Sequence, residues 1–319
     1  MLVLILIGAV AFVGFTNGAN ANFKGVASLY GSGTTSLRRA LAWGTMATFA
    51  GSISAAMLAR DLVARFGGRG LVPDAVTQSP SFVAAVAIGA SATSFLANRL
   101  GFPVSTTHAL VGALAGAGLV ACGPEVRLDA LGKNFLYPLA FSPLVAMALS
   151  SLIYPVLRQF RLAPEARNPL LDSAHYLAAG AASFARGLND TPKMVALLAV
   201  APEWASGWGF WMVAMAIAAG GWLDADKVAE TLGRRVTAMN PGEGFAASLV
   251  TAGLVTTASL HGLPVSTTHV SVGSLLGIGA IMGKAHWSKV GEIALAWFVT
   301  LPCGAVMAML ALAGLNWLP

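Results

Sequence analysis

The hexapeptide Pro103-Val104-Ser105-Thr106-Thr107-His108 occurs twice, returning as Pro264-Val265-Ser266-Thr267-Thr268-His269. Proline suits the first turn of a helix and breaks whatever precedes it. Each run therefore sets three hydroxyls where a helix start leaves backbone N–H groups without intrahelical acceptors. Hydroxyls, amides and the positive end of a helix dipole, aimed at one point, make a site for a compact oxyanion. A single copy would not separate this from simple helix capping or back-bonding; two identical copies favour the oxyanion. His108 and His269 follow the hydroxyls. Imidazoles at membrane depth can relay protons or orient a site, although neutral packing is the plainer reading.

A second centre pairs Asn17-Gly18-Ala19-Asn20-Ala21-Asn22-Phe23-Lys24 with Arg186-Gly187-Leu188-Asn189-Asp190-Thr191-Pro192-Lys193. The amides of Asn17, Asn20 and Asn189, the Asp190 carboxylate and carbonyls freed by a broken helix would form a hard-oxygen cage. Such a cage suits Na⁺ or a transferable proton. Lys24 and Lys193 stand at matched positions, with Arg186 beside the second. A buried lysine must be paired or neutral, so each has either Asp190 or the anion as its partner.

These motifs lie in a duplicated chain. Residues 101–118 and 262–279 align without gaps at an offset of 161, about half of 319, with twelve of eighteen positions identical. The Asn-rich motifs recur at an offset of 169, and Arg38-Arg39 is matched by Arg234-Arg235. Duplicated membrane halves with polar breaks at matching places are the signature of secondary transporters, whose sites form where the broken helices meet.

The elements that must position these residues are membrane helices. The chain is 56% hydrophobic and 10% charged, with a mean hydropathy of +0.74, whereas a soluble domain carries about 25% charge. This excludes an ordinary cytosolic enzyme and a disordered chain, and two cysteines make neither a disulfide framework nor a metal cluster. The net charge of +6 reads as basic loops rather than nucleic-acid binding, since no aromatic-interleaved basic stretch accompanies it. Thirty-six glycines point to close helix packing. Apolar segments are expected near 1–15, 40–59, 82–98, 103–121, 135–157, 174–200, 208–223, 245–260, 264–283 and 290–316. The first lacks a basic leader and reads as a retained helix, not a signal peptide. Residues 60–80 and 158–172 read as loops, and 224–243 as a short amphipathic helix ending at Pro241. The expected organisation is repeat 1 over 1–160, a connecting loop over 161–173 and repeat 2 over 174–319, in an all-α polytopic membrane protein with broken helices and re-entrant hairpins.

The doubled Pro-Val-Ser-Thr-Thr-His and the paired Asn motifs resemble the inorganic phosphate transporter (PiT) family, which includes Na⁺- or H⁺-coupled phosphate carriers and some sulfate permeases. The resemblance spans nearly the whole chain. It implies inverted-topology repeats, a homodimer, a bacterial plasma (inner) membrane location and symport by alternating access. It implies no cofactor beyond a coupling ion, Na⁺ or H⁺. The substrate residues it implies are Ser105, Thr106, Thr107, Ser266, Thr267, Thr268, Asn20 and Asn189, to which the charge of the paired motifs adds Lys24 and Lys193. The coupling residues it implies are Asp190, Asn20 and Asn189, with Na⁺ at these three, and the Asn-rich motif itself adds Asn17. The family pattern has Asp after Asn in both halves, but this chain has Ala21 in the first. It also commonly has small or Asn residues where Lys24 and Lys193 stand. Phosphate is the expected substrate; losing an acid and gaining lysines makes sulfate the alternative. An anion channel is the alternative of another class. A Ser-His hydrolase lacks a matched acid and a nucleophile elbow.

Overall fold

The computed structural model describes residues 1–68, 70–225, 228–229 and 238–317. Among them are ten helices of 15 residues or more. The first five are α1 (Leu2–Ala21), α2 (Leu37–Leu58), α3 (Pro80–Leu100), α4 (Thr106–Cys122) and α5 (Tyr137–Gln159). The second five are α6 (Pro169–Val195), α7 (Gly209–Leu223), α8 (Pro241–Leu260), α9 (Thr267–Ile281) and α10 (Trp287–Leu315). No strand occurs among the described residues. Seven helical stretches are long and apolar enough to cross a membrane; α7 and α9 are apolar but shorter. The chain is an integral membrane protein. Large apolar side chains such as Leu152, Leu295 and Phe298 face outward, as a lipid-facing surface requires.

The packing is the same when the halves are exchanged. In the first half α1 packs on α3, and in the second α6 packs on α8. Across the halves, α1 lies against α7 as α6 lies against α2, and α4 lies along α10 as α9 lies along α5. Lipid supplies little hydrophobic drive between helices, so these contacts depend on close approach of backbones over small residues. A Cβ on Gly18 would overlap the Ile217 carbonyl, and one on Gly187 would overlap the Thr48 carbonyl. The motif glycines thus carry the cross-half contacts of α1 and α6. Gly112 and Gly273 do the same for α4 on α10 and α9 on α5.

Each half also contains a helix hairpin. The α3–α4 turn passes through Gly101 in the left-handed region, φ 73°, and the α8–α9 turn through Gly262, φ 63°. These turns bring the two Pro-Val-Ser-Thr-Thr-His runs to the starts of α4 and α9, as the hydroxyls predict, but Pro103 and Pro264 lie in the non-helical residues before the Ser105 and Ser266 caps rather than in the first turn.

Three expectations change. The Arg186–Lys193 motif does not sit at a break: α6 runs unbroken through it, with Pro192 inside the helix, to Val195. Proline forfeits only its own N–H bond here, in a helix buried on nearly all sides. In the first half α1 likewise continues through Asn17 and Asn20, and a short 3₁₀ turn begins only at Asn22. The span expected over 60–80 contains short helices at Arg60–Phe66 and Asp74–Thr77. Pro241 begins α8 rather than ending a helix, with Asn240 and Glu243 forming a reciprocal cap at 2.7 and 2.9 Å. Most of the amphipathic helix expected before it, with Arg234-Arg235, lies outside the described residues.

Candidate functional site

The two hairpin tips meet in the interior. The Thr268 hydroxyl at the start of α9 donates to the Val104 carbonyl before α4, at 3.0 Å. Behind them the His108 and His269 rings lie 4.7 Å apart, and Trp297 stacks on His269 at 3.9 Å. His269 bonds the Leu139 carbonyl at 2.9 Å, and the Trp297 indole N–H donates to the Pro103 carbonyl at 3.2 Å. This is the geometry of packing histidines. Both helices start at this junction, so two positive dipole ends converge there.

All six predicted hydroxyls come to this junction, but in different roles. Ser105 and Ser266 accept from the His108 and His269 amides at 3.2 and 3.3 Å, so for these two side chains capping is the observed use. Thr106 accepts from the Asn17 amide at 3.0 Å. Thr267 donates to Asp190 at a long 3.5 Å. Thr107 accepts from Lys193 at 2.7 Å and Thr268 from Lys24 at 2.5 Å.

The lysines are the cross-braces of the junction. The Lys24 ammonium donates to Asn20 Oδ1 at 3.1 Å, to the Val104 carbonyl at 2.7 Å and to Thr268 of the other half. Lys193 repeats this with the halves exchanged, donating to Asn189 Oδ1, to the Val265 carbonyl at 2.9 Å and to Thr107. It also meets Asp190 Oδ1 at 3.2 Å. The sequence left two partners open for each lysine. For Lys193, Asp190 is one of several oxygens; for Lys24, all three are uncharged.

Asp190 collects the remaining charge. Its Oδ2 accepts from the Asn17 amide at 3.2 Å and lies 3.7 Å from Arg186 Nε. Arg186 donates to Asn17 Oδ1, Thr48 and Asn22 at 2.5, 3.3 and 3.4 Å. Its Nε has no hydrogen-bond partner. Lys24, Arg186, Asp190 and Lys193 are 3, 1, 4 and 1% exposed. Buried ion pairs are costly to desolvate, and the dense amide and hydroxyl shell offsets that cost at every group except Arg186 Nε, which has only the Asp190 carboxylate at 3.7 Å.

Asn20 and Asn189 hold the hairpins. The Asn20 amide donates to Asn98 Oδ1 and the Phe102 carbonyl at 2.7 and 2.9 Å, while its Oδ1 takes the Val104 N–H at 3.0 Å. The Asn189 amide donates to Ser259 at 2.9 Å. Asn98, Ser259 and Thr48 lie outside the two sequence motifs, and Asn22 lies within one without an assigned role. Asn98 and Ser259 differ by the repeat offset of 161, so extending the alignment backward would have exposed that pair. Thr48 and Asn22 carry no such signal.

The junction is closed. A cavity of about 10 Å³ beside Lys24, lined by Ser28, Ser248, Thr251 and Ser271, has room for about one water. The six hydroxyls bond the chain's own groups.

Comparison with known proteins agrees with this architecture. The profile of the Phosphate transporter family (PHO4) matches residues 17–308. A probable low-affinity inorganic phosphate transporter of Rhizobium meliloti is 27% identical over 96% of this chain and 95% of that protein. One from Bacillus subtilis is 26% identical over 98% and 97%. A solved structure described as the sodium-dependent phosphate transporter superposes with a TM-score of 0.88 at 20% identity, covering 100% of both chains. That likeness speaks for the fold. The named relatives are transporters, not enzymes.

Proposed function

The chain belongs to the phosphate transporter family, and on that premise we propose that it carries inorganic phosphate across a membrane by alternating access. The observation that carries the reading is the charge of the hairpin junction. Counted formally, with both lysines as ammonium groups, Lys24, Arg186 and Lys193 against Asp190 leave a net of +2 in a shell of hydroxyls and helix amides. Such a centre suits a divalent oxyanion, which would exchange the intramolecular bonds of Thr106, Thr107, Thr267 and Thr268 for bonds to its own oxygens. Ser105 and Ser266 would hold the tips in shape.

The repeats at 1–160 and 174–319 would rock against each other about this junction, in inverted topology. The bonds that cross from half to half, from Lys24 to Thr268 and from Lys193 to Thr107, must then part and re-form in each cycle. The setting we propose is a bacterial plasma membrane, with the chain as a homodimer. Cation coupling through Asn20, Asn189 and Asp190 meets an obstacle, because those oxygens already receive ammonium groups.

Uptake into proteoliposomes tests the assignment. Labelled phosphate should enter saturably, exchange with internal phosphate and be competed by cold phosphate. Labelled sulfate entering while phosphate fails to compete would make this a sulfate permease of the same family. Conductance without saturable exchange would make it a channel.

A further inference from the structure

We propose that Lys24 and Lys193 are tethered substitutes for coupling cations, so that transport by this chain does not require Na⁺. The inference rests on the transport reading above and deepens it. A sodium site in a membrane carrier is built from side-chain amide and hydroxyl oxygens together with carbonyls of unwound backbone. Around Lys24 Nζ the structure has one of each: Asn20 Oδ1 at 3.1 Å, Thr268 Oγ1 at 2.5 Å and the Val104 carbonyl at 2.7 Å. Val104 precedes the start of α4, where the chain is not helical. The same three kinds of oxygen surround Lys193 Nζ from Asn189, Thr107 and Val265, with Asp190 added at 3.2 Å.

An ammonium has three N–H donors and no acceptor. At Lys24 three oxygens take those three donors, so the cage and the cation are matched in number. Each ammonium also arrives from the residue four positions after its own Asn, one helical turn along. Two cages built alike, on opposite halves, each filled from the same sequence position, are more than a chance salt bridge. The residues expected to hold Na⁺, Asn20, Asn189 and Asp190, do not fit a free ion while the lysines are in place. A second positive charge beside an ammonium would be repelled at contact distance. The tether also removes the entropy a dissolved ion loses on binding, so the cradle is positive and ordered without any ion from solution.

The test uses the full-length protein in proteoliposomes, with labelled phosphate uptake measured in sodium chloride and in choline chloride of equal strength. The expected rates agree within about twofold; a loss of about tenfold or more in choline, equivalent to about 1.4 kcal/mol of coupling, would overturn the inference. Uptake in neither salt would count against the transport reading and not against this one. The inference then stands or falls on radioactive sodium binding to the detergent-purified protein. No saturable binding is expected, and saturable binding would refute it. In the reverse direction, Lys24→Gln together with Lys193→Gln is expected to create saturable sodium binding absent from the parent. If this variant folds, by retained elution as the parent does, and still binds no sodium, the cages are not cation sites and the inference fails. If it does not fold, the two parent measurements decide.

Discussion

Replacing Asp190 with Asn removes the carboxylate that lies between Lys193 and Arg186, at 3.2 and 3.7 Å. At an effective dielectric of about 20, each attraction is roughly 5 kcal/mol. Desolvation cancels part of this, and removing one partner of a buried pair costs about 3–5 kcal/mol in practice, because the other charge is left stranded. Here two cations are stranded, and the junction rises from +2 to +3. Asn keeps the shape and can still receive Lys193, so the loss is electrostatic and leaves no cavity. Thermal unfolding in detergent, followed by tryptophan fluorescence, should show a fall in Tm on the order of 10 °C. Adding Lys193→Gln removes one stranded cation, so the double variant should be more stable than Asp190→Asn alone. A Tm shift under about 2 °C for Asp190→Asn, or a double variant whose loss is the sum of the two single losses, would refute the view that Asp190 anchors the charge cluster.

Other perturbations follow from the same geometry. Ala21→Asp places a carboxylate three residues before Lys24, as Asp190 precedes Lys193; it should lower the junction to +1 and weaken phosphate competition by about tenfold, with the protein folded normally by elution profile. Thr268→Val removes an acceptor from Lys24 and a donor to Val104, at a cost of about 1–3 kcal/mol in denaturation and with a raised KM for uptake. Gly112→Ala and Gly273→Ala drive a methyl into the Leu301 and Pro143 carbonyls and should each cost about 1–3 kcal/mol. Gly291→Ala, where nothing lies within 4 Å, should instead gain about 0.5–1 kcal/mol, and thermal scans of the three variants separate the signs.

Much of the site could be read from the sequence because the duplication repeats residues whose local physics is strong. Ser followed by two threonines reads as a capped helix start, and both copies are helix starts with a Ser cap, the proline standing two residues before it. The pairing of Lys24 and Lys193 as equivalent groups was likewise legible from position. Their ligands were not. An Asn four residues earlier is local, but the Val104 and Val265 carbonyls and the crossed threonines arrive only through the meeting of two hairpins. The break expected at Arg186–Lys193 failed for a related reason. Proline is locally helix-breaking, yet Pro192 sits near the end of a helix held by α2 and α8, and tertiary packing outweighs one lost bond. Arg186 shows the limit most clearly: Asn17, Asn22 and Thr48 reach it from three other helical segments, and although the repeat offset aligns Asn17 with Arg186, it does not predict that they touch.

The polar character of α6 has a consequence for how the protein is made. Its 27 residues include Asp172, His175, Arg186, Asp190 and Lys193, and it is not among the stretches apolar enough to cross a membrane by themselves. Asp190 pairs with Arg186 and Lys193 within the helix, and the polar partners of these cations, Asn17, Thr48 and Thr107, come from the first half. A nascent α6 meeting lipid alone would expose those charges to hydrocarbon, at a few kcal/mol each. Stable insertion of α6 is therefore expected to depend on the first half. Coexpressed halves should assemble, whereas a second half synthesised alone should be extracted and degraded.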